Sequence, residues 1–141
     1  MNVIVTITGR QTLDGQSDVT RVTAKGHLFP REDGWELHYR QDEGGQTVFT
    51  KVEITDGRMK IERRGDTRST LILQAGKRHE SDYHTPHGSL RMGLETHSLS
   101  SSLTPGGGRV EAEYTLNINE TVTAQHTLSI EVKGADRECQ K

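Results

Sequence analysis

The chain has 141 residues, enough for one domain with a buried core, yet only 30% of them are hydrophobic and 4% aromatic. The expected core is thin and aliphatic, which excludes a large greasy cavity for a lipid or haem. A net charge of −2 advertises no surface for nucleic acid or anionic membrane.

In chain order, Val3, Val5 and Ile7 alternate with Ile4, Thr6 and Thr8 to give a first strand. Asp14-Gly15 turns the chain. Thr20, Val22, Ala24 and Leu28 then form one face of a second strand, whose inner face Gly26 interrupts, marking a bend. Pro30 to Gly34 reads as a loop. Trp35, Leu37 and Tyr39 give a third strand carrying most of the aromatic mass on one face, and Asp42 to Gly45 a further turn.

Asp56-Gly57 is a two-residue hairpin signal, because a type I′ turn needs positive φ at both central residues. The register it sets pairs Ile54 with Met59 and Val52 with Ile61 on one face. On the other, Glu53 meets Lys60 and Lys51 meets Glu62. A slip by one residue would mix the faces. The same register sets Thr50 opposite Arg63 on the apolar side. A three-residue loop, Gly65-Asp66-Thr67, then pairs Ile61 with Leu71, Met59 with Leu73 and Arg63 with Ser69. Two readings of Arg63 stay open: a strand-end side chain that snorkels to solvent, or a polar anchor inside an apolar pocket, where a guanidinium must be paired or hydrated.

Ala75 to Arg78 is a turn. At Tyr83-His84-Thr85-Pro86-His87-Gly88, proline rules out a type I′ turn. A type I turn with Gly88 as a left-handed bulge fits better; it pairs Thr85 with Ser89 and turns Asp82 and His84 inward. A two-residue loop would instead turn Tyr83 and Thr85 inward, and both registers stay open. Leu90, Met92, Leu94 and Thr96 form one face, and Ser98 to Gly108 a polar loop. Val110, Ala112, Tyr114, Leu116 and Ile118 pair across an Asn119–Thr121 loop with a strand carrying Val122, Ala124, His126, Leu128, Ile130 and Val132. That makes Tyr114 and His126 cross-strand neighbours on the apolar face. The ordinary expectation for such a pair is a hydrogen bond to each other or to water in a packed core.

About ten strands with short links and no convincing helix indicate an all-β, antiparallel up-and-down meander. Closing it into a barrel removes the exposed edges; a two-sheet sandwich is the alternative. Residues 1–133 are expected to form this single domain, with 134–141 a loose tail. The lone cysteine, Cys139, has no partner for an intrachain disulfide, which favours a reducing cytoplasm. Met1 to Ile4 lacks a signal-peptide pattern, and no apolar run approaches the ~20 residues of a membrane helix.

Lys51-Val52-Glu53-Ile54-Thr55-Asp56-Gly57, Arg63-Arg64-Gly65, Tyr83 to Gly88 with Leu90, Met92 and Thr96, and Tyr114 to Ile118 together resemble the YwiB-like family of small bacterial proteins. The resemblance runs from the first strand to Val132. It implies a lipocalin-like, calycin-type β-barrel and supplies no activity, ligand or catalytic residue. One departure is His87, where an aromatic such as tyrosine is expected.

The histidine-rich stretch of His79, Glu80, Asp82, His84, His87 and His97 invites a metal reading. Positions three apart on a strand face opposite sides, however, and neither a His-Glu-x-x-His nor a paired-cysteine spacing occurs. No metal or cofactor is expected. There is no Gly-x-Ser-x-Gly elbow and no inward pair of carboxylates. Arg63, Arg64 and Arg68 cluster, but aromatics to stack bases are few and acids interleave, so no nucleic acid is expected. What remains is an inner polar set: Thr50, Arg63, Ser69, Tyr114 and His126, with either Tyr83 and Thr85 or Asp82 and His84. The reading is a non-catalytic barrel, monomer or homodimer, that binds a small anionic molecule through Arg63. The alternatives are a filled barrel acting as an interaction or oligomerising module through an outer face near Phe49, Ile72 or Tyr83, and a metal-assisted hydrolase.

Overall fold

A strand that is apolar on one side must bury that side, and a meander of such strands leaves no exposed edge only by closing on itself. The computed structural model of the chain, which describes residues 1–43, 45–65 and 67–134, does so. Its strands are β1 (Asn2–Leu13), β2 (Gln16–Arg31), β3 (Gly34–Glu43), β4 (Gln46–Thr55), β5 (Arg58–Arg64), β6 (Arg68–Gln74), β7 (Arg78–Thr85), β8 (Gly88–Ser101), β9 (Gly107–Ile118) and β10 (Val122–Gly134). They form one closed antiparallel barrel in sequence order, sealed where β1 pairs β10 from Val3↔Gly134 to Thr12↔Gln125. This decides against the sandwich. Among the described residues no helix is long and apolar enough to cross a membrane.

The expected registers hold through the centre of the chain. Ile54 faces Met59, Thr50 faces Arg63, and Arg63 faces Ser69, so Arg64 and Arg68 close a three-residue loop. Tyr114 faces His126 across the Asn119–Thr121 turn. At Pro86 the pairing is Thr85↔Gly88 and His84↔Ser89, which decides between the two open registers for the two-residue loop and against the Thr85–Ser89 pairing. Gly88 does take positive φ (127°). The Thr85 hydroxyl clamps the tight loop, accepting from the His87 N–H at 3.1 Å and donating to the Gly88 carbonyl at 2.8 Å. The expected loop at Pro30 to Gly34 is shorter: Pro30↔Trp35 and Arg31↔Gly34 are paired. Likewise β8 runs to Ser101, because a bulge between Thr96 and Ser98 shifts the alternation and sets Leu99 opposite Ala112. Residues 135–141, with Cys139, lie outside the described residues.

The core is lopsided. At the end holding the chain's N-terminus and the Asp56-Gly57 turn, Val3, Val5, Leu28, Leu37, Val52, Met59, Leu73, Val110 and Ile130 are fully buried. Towards the Thr85–Gly88 and Asn119–Thr121 turns, the inward residues Ile7, Leu71, Leu116 and Leu128 are only partly covered. The wall also has two loose seams. β2 and β3 pair only from Gly26↔Tyr39 to Arg31↔Gly34, although each stays with its other neighbour along nearly its full length. β6 and β7 pair at Arg68↔His84 alone. Gly26 marks a close approach: a Cβ there would lie 2.4 Å from the His38 carbonyl oxygen.

Candidate functional site

Strand alternation sets two polar belts on the inner face of the barrel, of which Tyr39, Arg63 and Tyr114 reach a cavity. On one wall Tyr39, Thr50, Arg63 and Ser69 stand side by side across β3, β4, β5 and β6. On the other, Thr96, Tyr114 and His126 do so across β8, β9 and β10. Between the walls lies an interior cavity of about 240 Å³, lined by Arg63, Tyr39, Gln41, Tyr114 and Thr20 among apolar residues such as Ile7, Ile61 and Leu71. Tyr39, Gln41 and Val22 also line a cleft of about 670 Å³ in the gap between β2 and β3, so the cavity has a lateral window.

Arg63 is half-buried and on the cavity wall, which favours the polar-anchor reading over a strand-end side chain directed away from the interior. Thr50 and Ser69 are buried beside it. Tyr83 and Thr85 do turn inward, Tyr83 opposite Leu90, and this removes Tyr83 from the outer face. Neither lines the cavity, and the Thr85 hydroxyl is committed to its own turn. Tyr114 and His126 do not hydrogen-bond. Their rings stack with centroids 5.0 Å apart and planes within 3°, leaving His126 Nε2 buried and without a partner among the described residues, as is Thr50 Oγ1.

Sequence reading missed Tyr39, Gln41 and Thr20 as site residues. Tyr39 carries a signal, since it alternates with Leu37 on the inner face. It also missed Glu36, buried on the outer wall, which bonds His38 Nε2 at 2.5 Å and lies 3.4 Å from Arg31. The histidine-rich stretch does not converge. His84 Nδ1 is 2.9 Å from Ser89 Oγ, His97 Nε2 is 2.6 Å from Thr115 Oγ1, and His79 lies near Gln74. Among the described residues no group of His, Cys, Asp and Glu is placed to hold a metal.

The model of the family described as "Domain of unknown function (DUF1934)" matches residues 5–130. The chain belongs to this family. It is 22% identical over 121 residues to the uncharacterised beta-barrel protein YwiB of Bacillus subtilis, covering 86% of this chain and 85% of that one. The crystal structure of the B. subtilis ywiB protein superposes with a TM-score of 0.86 at 19% identity, over 95% of this chain and 92% of that one. The resemblance read from the hairpin motifs is thereby confirmed, as is the barrel.

In this DUF1934 barrel the stacked pair has a consequence for pH. Burial pushes the Tyr114 hydroxyl up to about 12 and lowers His126 below its ordinary value. A histidine depressed in the fold takes up protons more readily when unfolded, so stability is full above about pH 6.5 and falls as the pH drops below it. For Tyr114 the window is alkaline: stability is present below about pH 10 and is lost as the pH rises towards the folded value. Urea midpoints between about pH 5 and 7.5 are expected to fall more steeply on the acid side in the wild type than in His126→Phe. Equal slopes would show that His126 is solvated in the fold.

Proposed function

We propose that the protein is a non-catalytic binding barrel whose open half takes a small anionic molecule with an apolar body. One observation carries this: the cavity of about 240 Å³ between the two belts, with a single guanidinium, Arg63, among aliphatic walls. A planar guanidinium recognises carboxylate or phosphate oxygens through paired hydrogen bonds. Ile7, Ile61 and Leu71 would hold the apolar part, and Tyr39, Gln41 and Tyr114 would orient the polar one. The volume lies below the roughly 300–1,000 Å³ of drug-sized pockets, so the ligand is a metabolite-sized acid rather than a lipid. Entry would be through the window between β2 and β3. The buried Thr50 hydroxyl beside it has no partner among the described residues, a state that costs about 1–3 kcal/mol unless something else bonds it.

The interaction-module reading needs a filled barrel, and the partly covered residues of the open half argue against one. We place the protein in the cytoplasm, as a monomer or homodimer, because one cysteine in 141 residues suits a reducing compartment. Native mass spectrometry of protein purified from its own cells, beside Arg63→Ala, tests the reading. The expected result is a bound small molecule that the substitution loses, with an affinity drop of about tenfold or more and a nearly unchanged melting temperature. Identical bare spectra for both forms would turn the search to surface partners.

A further inference from the structure

Four adjacent registers bring together, across five strands, a row of outward side chains that no single strand contains. Arg40 on β3 pairs Phe49 on β4, Phe49 pairs Arg64 on β5, Arg64 pairs Arg68 on β6, and Arg68 pairs His84 on β7. Two features of this row are costly for folding alone. Phe49 is 57% exposed, and Arg64 and Arg68 stand directly opposite each other, where like charges destabilise a sheet. Neither arginine has an ion-pair partner among the described residues. The nearby acids are engaged elsewhere: Glu62 with Lys60 at 3.2 Å, and Asp82 with Arg91 at 3.9 Å.

The row crosses the loose seam between β6 and β7. There a cleft of about 460 Å³ is lined by four basic side chains, Arg63, Arg64, Arg68 and His84, and by the acids Glu62 and Asp82, each already paired with a cation. His84 Nδ1 is held by Ser89 Oγ, which leaves Nε2 for a ligand. We propose that this cleft and row form a second site, on the outer wall, for a nucleoside phosphate. The base stacks on Phe49, and the phosphoryl groups lie across Arg64, Arg68 and His84. The span fits: strands are about 4.8 Å apart, so Arg68 is roughly 10 Å from Phe49, close to the distance from a base to the second phosphate of a diphosphate. Base stacking on an exposed aromatic and arginine contacts to phosphate are the two elements that recognise a nucleotide without reading its sequence. The ligand is either a free nucleotide or a unit of a single strand, which share this chemistry.

Titration calorimetry at low salt with ADP, pyrophosphate and adenosine tests the site, with a fluorescent single-stranded oligoribonucleotide as a further arm. ADP is expected to bind, pyrophosphate more weakly, and adenosine not measurably. Arg64→Glu and Arg68→Glu should each weaken ADP at least tenfold. Phe49→Ala should weaken ADP but not pyrophosphate. Because these glutamates replace one member of a like-charge pair, both variants should melt no lower than the wild type, which separates lost binding from lost fold. Tighter binding of the oligonucleotide, abolished by the same substitutions, supports the site and assigns it to a strand. No ADP or oligonucleotide binding at millimolar concentration, or binding that both charge reversals leave intact, overturns it. Arg63 lines both this cleft and the interior cavity, whereas Arg64 and Arg68 line only the cleft, so the Arg64 and Arg68 variants test this site apart from the binding barrel.

Discussion

Leu37→Ala is expected to destabilise the barrel by about 3–5 kcal/mol, and Leu71→Ala by only about 1–2 kcal/mol. Both replace an inward leucine on a central strand, so the transfer term is the same. The difference lies in what each leaves behind. Leu37 has no exposed surface and sits between Leu28 and Val52 in the packed half. Truncation there opens a void that rigid neighbours cannot fill, and the cost grows with the void. Leu71 is half-buried and already faces the interior cavity, so its removal enlarges a space that exists. With an ordinary domain stable by about 5–15 kcal/mol, Leu37→Ala alone removes a large share of the total. Urea unfolding of both variants, fitted with a common slope, measures the difference. Equal losses would show that the open half is packed as tightly as the other, and the binding-barrel reading would fall with that result.

How much of this was legible in the chain depended on whether local chemistry determines the geometry. The hairpin at Asp56-Gly57 was readable because turn residues, charge pairs and apolar pairs all demanded one register. The Pro86 turn was not, since its sequence satisfies two registers and a hydroxyl, that of Thr85, decides between them. The inner belt of Thr50, Arg63 and Ser69 followed from alternation alone. Tyr39 and Gln41 did not enter the site because the gap between β2 and β3 arises only where two hairpins part company, a relation between strands that alternation within one strand cannot express. The bulge at His97 hid Leu99 in the same way, by changing the phase of an otherwise regular strand. The outer row from Arg40 to His84 needs several registers at once, so the sequence shows only scattered arginines and one phenylalanine.

Gly34→Ala is expected to cost about 3 kcal/mol or more, while Gly93→Ala should be close to neutral. A Cβ at Gly34 would lie 1.8 Å from the Ile54 carbonyl oxygen and 3.0 Å from Thr55 Cα, all backbone of β4. Neither strand can yield without breaking the ladder that joins them. At Gly93 the nearest atoms, at 2.2 and 2.8 Å, belong to the Arg78 guanidinium, a half-exposed group that can swing into solvent. Both sites lack a side chain, yet backbone resists and a flexible side chain gives way. Gly34 also closes the short ladder from Gly26↔Tyr39 to Arg31↔Gly34, which is all that ties β2 to β3. Displacing it should therefore widen the lateral window as well as lower stability. Hydrogen exchange read at amides on β2 and β3 would detect this as faster exchange there than on β9 and β10, whose pairing runs from Val122↔Ile118 to Lys133↔Gly107. A Gly34→Ala protein with wild-type stability and uniform exchange would mean that the corner relaxes freely, and the loose seam could not serve as a defined entrance.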